Sequence, residues 1–268
     1  WKQFAPNAYK IGIDIDENEL NKPTLNYDEK IVLDLRDFFQ ISLKVSKQNH
    51  LKFNNSSCWN EQTKKWLRKY PVVLDKYWNI KSFVNPYCFM DKLFKSLNED
   101  QITVTSDGTA CVTAFQAAVV KKGQRLFHNS GCASMGFELP AAIGAYYGSN
   151  KKDIVCIAGD GSIMMNLQEL QTISGNNLSI KIFLLNNEGY HSIRQTQNNY
   201  FNGRLIGCGE ESGLFFPKFS KIASSFNFDY KKIDNHSDLD STINEVLESD
   251  KPIICEVFLD KSQEFSPK

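Results

Sequence analysis

The sequence contains a strand–helix–strand pattern with polar residues at the end of each strand, and this pattern most constrains the fold. The apolar, β-branched run 154–158 predicts a buried strand, and it leads directly into Gly-Asp-Gly-Ser at 159–162. Apolar residues of segment 167–173 recur at helical spacing, and a second buried run, 180–185, ends at the asparagine pair 186–187. The pattern predicts two parallel strands whose carboxyl ends place a carboxylate and a carboxamide at the same edge of a sheet.

Asp160 and Asn187 lie at these strand ends and supply the oxygen ligands that Mg²⁺ prefers, while substrate phosphates commonly complete its coordination. Gly161 allows a phosphate to approach the backbone N–H groups at the helix start, where the dipole favours an anion. The alternative for an isolated Gly-Asp-Gly-Ser is an ordinary turn in which Ser162 caps the helix. The asparagine pair in the matching position favours a site for a metal diphosphate.

Strand and helix patterns alternate from Pro86 onward, which predicts an α/β fold with a parallel sheet and helices on both faces. Besides the unit above, we expect strands at 102–105, 125–127 and 253–258 and a helix through 140–147. Ligands of such sheets bind outside the carboxyl ends of the strands.

Composition argues against several classes of function. The 31 Lys and Arg residues are balanced by 31 Asp and Glu residues, so no excess positive charge favours a nucleic acid partner. No apolar run has the length needed to span a membrane, and no signal peptide is visible. The seven cysteines include no C-x-x-C pair, which argues against a disulfide framework or a zinc site and predicts a reducing, cytoplasmic compartment.

Two motifs resemble those of thiamine diphosphate-dependent enzymes. Gly-Asp-Gly at 159–161, followed after a helix and a strand by Asn-Asn at 186–187, resembles the family's diphosphate signature. Segment 131–145, GCASMGFELPAAIGA, is similar to the acetolactate synthase-like branch. The resemblance runs from about Pro86 to the C-terminus and, more weakly, over the first forty residues, and it implies the thiamine diphosphate-binding fold.

The family has a pyrimidine-binding, a middle and a diphosphate-binding domain, in this order. The resemblance implies that residues 1–43 are the end of a middle domain, that 44–85 are a linker, and that 86–268 are the diphosphate-binding domain. Trp1 would then begin a fragment.

Local patterns divide the first 85 residues further. We expect a strand at 9–16, a turn at 20–23 and a helix at 31–43, followed by one helix at 61–69 within the linker.

The resemblance also implies how the chain contacts thiamine diphosphate and Mg²⁺. The metal ligands would be Asp160, Asn187 and the Gly189 carbonyl. Met135 would wedge the cofactor into a bent conformation, and the Ala133 carbonyl would accept a hydrogen bond from the aminopyrimidine. The implied cofactor-binding residues are Gly108, Thr109, Ala110, Cys111, Ala133, Ser134, Met135, Gly161, Ser162, Asn187, Gly189, Tyr190 and His191.

The implied activity is that of a decarboxylating carboligase acting on a 2-keto acid, with pyruvate as the expected substrate and a homodimer or homotetramer as the expected assembly. The family's activating glutamate lies on the pyrimidine-binding domain, so no catalytic residue is assigned in this chain. Flavin binding stays open. The alternative is a cofactor-binding module that is inactive without a separate pyrimidine-binding domain.

Among the remaining polar residues, Glu138 is expected at a solvated helix start, and neither Cys111 nor Cys132 is assigned any chemistry. Arg194 is expected either to face a carboxylate or phosphate or to form a surface salt bridge. His191 is expected either to donate to a substrate oxygen or to play a structural role.

The substrate side departs from true acetolactate synthases at Thr196, where those enzymes have a tryptophan. A smaller residue predicts a larger pocket. The Gly-rich segment 198–216 suits a mobile segment over the site and resembles acetolactate synthase-like proteins of surface-polysaccharide pathways, some of which act on keto sugars.

Overall fold

A six-stranded, fully parallel β-sheet organises the larger part of the chain. The structure is a computed structural model that describes residues 3–51, 57–150 and 152–266, with the side chain of Ser57 excluded. The described chain divides into two compact units, residues 1–68 and residues 69–268. The strands of the second unit are β3 (Ile102–Thr105), β4 (Arg125–Phe127), β5 (Ile154–Gly159), β6 (Ile180–Asn186), β7 (Asp229–Ile233) and β8 (Ile253–Phe258).

The strand order in this sheet is β4-β3-β5-β6-β8-β7, and every neighbouring pair is parallel. From β3 the chain continues to β4 towards one edge of the sheet, and from β5 it continues to β6 towards the opposite edge. The order therefore reverses between β3 and β5, which is the place where parallel sheets of this kind open a crevice for ligands.

Helices cover both faces of the sheet. The helices of the second unit are α4 (Pro86–Ser96), α5 (Thr109–Ala117), α6 (Glu138–Gly148), α7 (Asp160–Ile163), α8 (Glu169–Gly175), α9 (His191–Tyr200), α10 (Phe219–Ser225) and α11 (Leu239–Leu247). Apolar side chains of α4, α5 and α11 pack on one face, and those of α6, α8 and α10 pack on the other. The predicted α/β fold is confirmed.

Alternation along the strands explains the two cores. In β5, Val155 and Ile157 pack with the first group of helices, whereas Ile154, Cys156 and Ala158 pack with the second. Successive side chains of a strand point to opposite faces, so a strand covered on both sides is apolar throughout. This is why the run 154–158 shows no polar alternation.

The predicted helix over 167–173 is present only in part. α7 follows β5 directly, a 3₁₀ turn covers Met164–Asn166, and α8 begins at Glu169. Leu170 and Ile173 are buried in α8 as their spacing predicts, while Leu167 lies between the two helices. The predicted strands at 102–105, 125–127 and 253–258 are confirmed at their exact bounds.

The first unit contains a two-stranded parallel sheet. Its elements are β1 (Ile11–Asp14), α1 (Glu17–Leu20), β2 (Glu29–Val32), α2 (Leu35–Gln48) and α3 (Ser57–Lys69). The prediction of one helix over 31–43 is wrong at its start, because Ile31 and Val32 pair with β1. Asp34 then caps α2 by accepting a hydrogen bond from the Arg36 N–H.

Two further expectations for this unit need adjustment. The predicted strand 9–16 is limited to Ile11–Asp14, and the predicted turn 20–23 begins inside α1, whose N-cap is Asp16. The expected helix at 61–69 lies within α3. No helix in the described ranges is long and apolar enough to cross a membrane.

Candidate cofactor and metal site

Three loops meet at the carboxyl ends of β3, β5 and β6, on both sides of the point where the strand order reverses. Together with Met135, which lies between β4 and α6, they line a cleft of about 120 Å³. This volume is well below the roughly 300–1,000 Å³ of a site for a drug-sized ligand, and it suits a diphosphate group with its cation. The cleft is lined by Asp107, Gly108, Thr109, Met135, Gly159, Asp160, Gly161, Ser162, Asn187, Gly189, Tyr190, His191, Ser192 and Ile193.

Asp160 begins α7 at the end of β5 and is buried. Its Oδ2 accepts hydrogen bonds from the N–H groups of Asn187 (3.0 Å) and Gly189 (3.1 Å), and its Oδ1 accepts one from the Gly161 N–H (2.7 Å). Burial raises the pKa of Asp160 to about 6, although these N–H groups and that of Glu188 act to lower it. The carboxylate therefore fixes the geometry of the loop after β6.

Asn187 lies beside Asp160 and has one polar atom without a partner. Its Nδ2 donates to the Thr109 hydroxyl at 3.2 Å, which orients the amide. Its Oδ1 is buried and has no hydrogen-bond partner. A buried acceptor in this state is costly, and a bound cation at this position would satisfy it.

Gly161 is required by the ring of Tyr190. A Cβ at position 161 would lie 2.2 Å from Cε1 of Tyr190, which is far inside van der Waals contact. The Tyr190 ring packs edge-on against Phe216. The backbone N–H of Tyr190 donates to the Cys208 carbonyl at 2.9 Å. The first turn of α7 and the loop after β6 are therefore packed directly against each other.

Gly189 is the tightest position in the loop after β6. Its φ is 148°, and a Cβ would lie 2.0 Å from the Cys208 carbonyl oxygen. Only glycine fits this combination of a positive φ and a close backbone approach. The loop therefore packs closely against the segment around Cys208. The role of the Gly189 carbonyl as a metal ligand stays a prediction.

The first loop contributes the beginning of α5. Gly108 and Thr109 line the cleft, whereas Ala110 is buried in the core and Cys111 is half-buried outside the lining. Burial, followed by the nearby Asp107, raises the pKa of Cys111 to about 11. A thiol in this state is a poor nucleophile, which agrees with the absence of an assigned chemistry.

In the segment that precedes α6, only Met135 lines the cleft. Ala133 and Ser134 are exposed, and Ala133 has a positive φ of 51°. Cys132 is also exposed. The structure therefore brings Met135 together with Asp160 and Asn187, but leaves its two neighbours at the surface.

Glu138 corrects the expectation of a solvated helix start. The side chain is completely buried, and its Oε2 accepts a hydrogen bond from the Ser162 hydroxyl at 2.9 Å. Burial raises the pKa of Glu138 to about 7, although the N–H groups of Glu138 and Gly136 and the Ser162 hydroxyl act to lower it. The signal available in the sequence was its position between Phe137 and Leu139, inside an apolar run.

His191 begins α9 and is buried against the ring of Phe265, with the centroids 5.2 Å apart. Neither ring nitrogen has a hydrogen-bond partner of good geometry. Burial, followed by the charge of Arg194, lowers its pKa, whereas the Gln263 carbonyl and the carboxylates of Glu264 and Asp260 act to raise it. The ring is therefore neutral and faces a cleft in which it can donate or accept.

The side chain of Arg194 is used within the protein. Its guanidinium donates to the carbonyls of Asn187 (3.4 Å), Glu188 (3.1 Å) and Cys208 (3.4 Å), and it pairs with Glu211 at 4.0 Å. The ion pair with Glu211 agrees with the expected salt bridge, whereas the hydrogen bonds to three backbone carbonyls were not expected from the sequence. Arg194 holds the loop after β6 against the segment around Cys208.

Thr196 is exposed on α9 and does not line the cleft. Its hydroxyl donates to the Ser192 carbonyl at 2.9 Å, one helical turn earlier. The Gly-rich segment that follows contains the end of α9 and a 3₁₀ turn at Glu210–Ser212. Its predicted mobility stays a prediction.

A second layer of polar residues supports the loop after β6, and sequence reasoning missed it. Asn186 Nδ2 donates to Glu256 Oε1 at 2.6 Å, and its Oδ1 accepts from the Glu188 N–H at 2.9 Å. The Tyr230 hydroxyl donates to the other oxygen of Glu256 at 2.5 Å. An acidic residue within the apolar strand β8 was the available signal, because a buried carboxylate needs partners.

The donor set fits a hard cation with a diphosphate. One carboxylate, one amide oxygen without a partner and backbone carbonyls are the oxygen ligands that Mg²⁺ takes, and a diphosphate supplies further oxygens. Within the described ranges, no group of three His, Cys, Asp or Glu side chains could hold a metal. The donor set at Asp160 and Asn187 does not depend on such a group.

Comparison with known proteins agrees with this geometry. Residues 107–257 match a family model described as "Thiamine pyrophosphate enzyme, C-terminal TPP binding domain". The chain is 29% identical to the acetolactate synthase large subunit of Cyanidium caldarium, covering 99% of this chain and 44% of that protein. It is 28% identical to the acetolactate synthase isozyme 1 large subunit of Escherichia coli (strain K12), covering 99% of this chain and 45% of that protein. It is 30% identical to the chloroplastic acetolactate synthase 2 of Nicotiana tabacum, covering 98% of this chain and 40% of that protein. The chain spans less than half the length of these relatives.

Proposed function

Because the chain belongs to the thiamine pyrophosphate enzymes through their C-terminal TPP binding domain, we propose that its cleft binds the diphosphate of the cofactor together with Mg²⁺. The observation that carries this proposal is the unpartnered, buried Oδ1 of Asn187 beside the Asp160 carboxylate. The proposed metal ligands are Asp160, Asn187 and the Gly189 carbonyl. The resemblance to acetolactate synthases extends along nearly the whole chain.

The cofactor, when bound, supplies a nucleophilic carbon and an electron sink for decarboxylation of a 2-keto acid. The residues of this chain bind and orient it. Asp160 and Asn187 would hold the cation, Gly108 and Thr109 at the start of α5 would face the diphosphate, and Met135 would face the organic part, since all five residues line the cleft. His191, held neutral by burial, is placed to exchange a hydrogen bond with a polar group in the cleft.

We propose that the protein is a 2-keto acid decarboxylating carboligase with pyruvate as substrate, acting as a homodimer or homotetramer in the cytoplasm. The support is the similarity to acetolactate synthase large subunits, and the relatives extend well beyond the part that this chain covers.

A second candidate is a cofactor-binding module that acts only with a separate pyrimidine-binding domain. It is favoured by the acidic side chains that line the cleft in the described ranges, which are aspartates and include no glutamate that could activate the cofactor. They are Asp107 and Asp160, and Asp160 is assigned to the metal. A measurement of cofactor binding and of decarboxylation on the same sample separates the two candidates, since the module binds but does not turn over.

The test of the metal site is Asp160→Asn, which keeps an oxygen acceptor for the loop N–H groups but removes the charge. We expect Mg²⁺-dependent thiamine diphosphate binding to weaken at least about tenfold, because a carboxylate is the strongest ligand in the set. Calorimetric titration of cofactor at fixed Mg²⁺ gives the affinity. Asp229→Asn, at an exposed carboxylate on β7, is the matched control and should bind like wild type. Unchanged, metal-dependent binding by Asp160→Asn would place the site elsewhere.

We further propose that the acceptor is larger than a second pyruvate, with a keto sugar as the candidate. This proposal requires Thr196, which is exposed and lies outside the lining of the cleft in this structure, to face the acceptor in the assembled protein. Thr196→Trp should reduce product from the large acceptor at least about tenfold while pyruvate decarboxylation stays within about twofold, since the added bulk acts on the acceptor alone. Product analysis with pyruvate, Mg²⁺, thiamine diphosphate and a panel of acceptors measures both. Equal loss of both reactions, or exclusive use of small 2-keto acids by wild type, would favour an ordinary acetolactate synthase.

A further inference from the structure

Glu138 is a buried carboxyl group next to the cofactor cleft that the proposed reaction does not use. It lies in the first turn of α6 and does not line the cleft. Its Oε2 accepts from the Ser162 hydroxyl, whereas its Oε1 is buried without a hydrogen-bond partner. A carboxyl group in such a place is costly to bury, which raises the question of what it does there.

The contacts of Glu138 connect two parts of the cleft. The Ser162 hydroxyl donates to Glu138 Oε2 at 2.9 Å and accepts from the Gly136 N–H at 2.8 Å. The Asn166 side chain donates to the Gly136 carbonyl at 2.8 Å. Both polar groups of the Gly136 backbone are therefore held by the segment that follows β5.

The position of these residues in the sequence gives the connection its meaning. Ser162 follows Asp160 by two residues, so it moves with the proposed metal ligand. Gly136 follows Met135 directly, so it moves with the side chain that packs against the organic part of the cofactor. The hydrogen bond between Gly136 and Ser162 thus sets the distance between the two halves of the cofactor site.

A serine hydroxyl has a single hydrogen, and its direction decides which lone pair is left for an incoming N–H. Glu138 takes this hydrogen, so the Ser162 oxygen presents a lone pair to Gly136. Without an acceptor at position 138, the hydroxyl can rotate, and the buried Gly136 N–H loses a defined partner.

We propose that Glu138 is a positioning residue which, by orienting the Ser162 hydroxyl, holds Met135 at a fixed distance from the Asp160 loop and so sets the affinity and the bound conformation of thiamine diphosphate. The proposal rests on the proposed function. The pKa of about 7 supports it, because burial shifts the group towards the neutral form, which tolerates the unpartnered Oε1 better than a carboxylate does.

The test compares Glu138→Ala, Glu138→Gln, Ser162→Ala and the double variant Glu138→Ala/Ser162→Ala in the native protein that carries this sequence. Calorimetric titration with thiamine diphosphate at saturating Mg²⁺ gives the affinity, and near-ultraviolet circular dichroism reports the environment of the bound aminopyrimidine. Ile243→Val, in the core on the other face of the sheet, is the control for a general loss of stability.

We expect Glu138→Ala and Ser162→Ala each to weaken cofactor affinity about tenfold, and the double variant to be no weaker than either, because both remove one connection. Glu138→Gln keeps an oxygen acceptor and should stay within about threefold of wild type with an unchanged dichroism spectrum, whereas Glu138→Ala should change the spectrum. Ile243→Val should lower the melting temperature without a change in affinity.

Three results would overturn the proposal: wild-type affinity in Glu138→Ala, losses that multiply in the double variant, or equal losses in Glu138→Gln and Glu138→Ala. If Glu138→Ala does not fold, Ser162→Ala and Glu138→Gln decide, since wild-type affinity in Ser162→Ala also overturns it. If the wild-type protein does not bind the cofactor, the proposed function is overturned together with this inference. If the wild type binds it, Asp160→Asn weakens binding and the variants at Glu138 and Ser162 do not, only this inference is overturned.

Discussion

At the scale of single residues, the cleft is built from polar groups that are buried next to one another. Asp160 and Glu138 are both carboxylic acids with pKa values raised by burial, yet they have different surroundings. Asp160 accepts hydrogen bonds from three backbone N–H groups, which preserves an ionised form suited to a cation. Burial favours the neutral form of Glu138, and one oxygen of this side chain has no hydrogen-bond partner.

This difference predicts how stability depends on pH. The pKa of Glu138 rises from 4.5 to about 7 on folding, so the folded state binds this proton more tightly than the unfolded state. The contribution to stability is complete below about pH 4.5 and is lost as pH rises to about 7, amounting to roughly 3 kcal/mol. Glu138→Gln does not titrate, so the difference in unfolding free energy between this variant and wild type should grow in favour of the variant across this window.

The measurement is denaturant unfolding of the cofactor-free protein at intervals between pH 4.5 and 8. Asp160 titrates in the same range, and Asp107 and Cys156 lie close enough to interact with Glu138, so the difference between the two proteins is the informative quantity. A difference that stays constant with pH would show that Glu138 is ionised throughout.

At the scale of elements, the site depends on how the loop after β6 is held from three sides. The Asp160 carboxylate accepts hydrogen bonds from N–H groups of the loop, and Arg194 on α9 donates to carbonyls of the loop. Glu256 on β8 orients Asn186, which directly precedes the loop. None of these contacts lies within one element. The conformation of the loop therefore depends on β5, β8 and α9 being in place.

Arg194→Ala should loosen this loop. The guanidinium donates to three carbonyl groups, and hydrogen bonds from charged donors are worth about 1.5–3 kcal/mol each when broken in a buried setting. We expect faster amide exchange in segments 187–190 and 207–213 and a fall in cofactor affinity of about tenfold. Hydrogen exchange followed by mass spectrometry measures the first effect, and calorimetry the second.

Arg204→Ala is the matched control, because Arg204 is exposed on the neighbouring segment. Arg194→Lys should resemble Arg194→Ala, since an ammonium group cannot donate to three separated carbonyls in the fixed geometry of a guanidinium. Wild-type exchange rates in Arg194→Ala would show that Asp160 and Glu256 hold the loop without it.

At the scale of the whole molecule, the described chain carries a six-stranded parallel sheet and a small cleft. The cleft has about 120 Å³, and the chain spans less than half the length of its relatives. The family's activating glutamate belongs to a domain that the resemblance does not place in these 268 residues.

We predict that the isolated 268-residue chain does not decarboxylate pyruvate and binds thiamine diphosphate only weakly. The reason is that the resemblance assigns the activating glutamate to the family's pyrimidine-binding domain and assigns these residues to the diphosphate-binding side. Release of CO₂ from pyruvate by the purified chain, compared with the native protein that carries it, is the measurement. Equal rates would contradict the prediction and would require a catalytic acid within this chain.

Much of the architecture was readable from the sequence because it depends on near neighbours. The apolar run 154–158 and its counterpart at 180–185 predicted two buried strands, and the structure confirms them as β5 and β6. The polar residues at their ends were expected at one edge of the sheet, and Asp160 and Asn187 do contact each other there. Strand periodicity and turn chemistry are local properties, so one sequence displays them.

The tertiary structure decided which polar residues meet across long separations. Glu138 and Ser162 are 24 residues apart, and Thr109 and Asn187 are 78 apart, so neither pair leaves a local pattern. The same holds for β2, where pairing with β1 outweighed the helical spacing that continued into α2. The sequence by itself determined the sheet, its polar edge and the family. The burial of Glu138, the use of Arg194 within the protein and the exposure of Thr196 depend on packing between distant segments, and only the folded chain defines them.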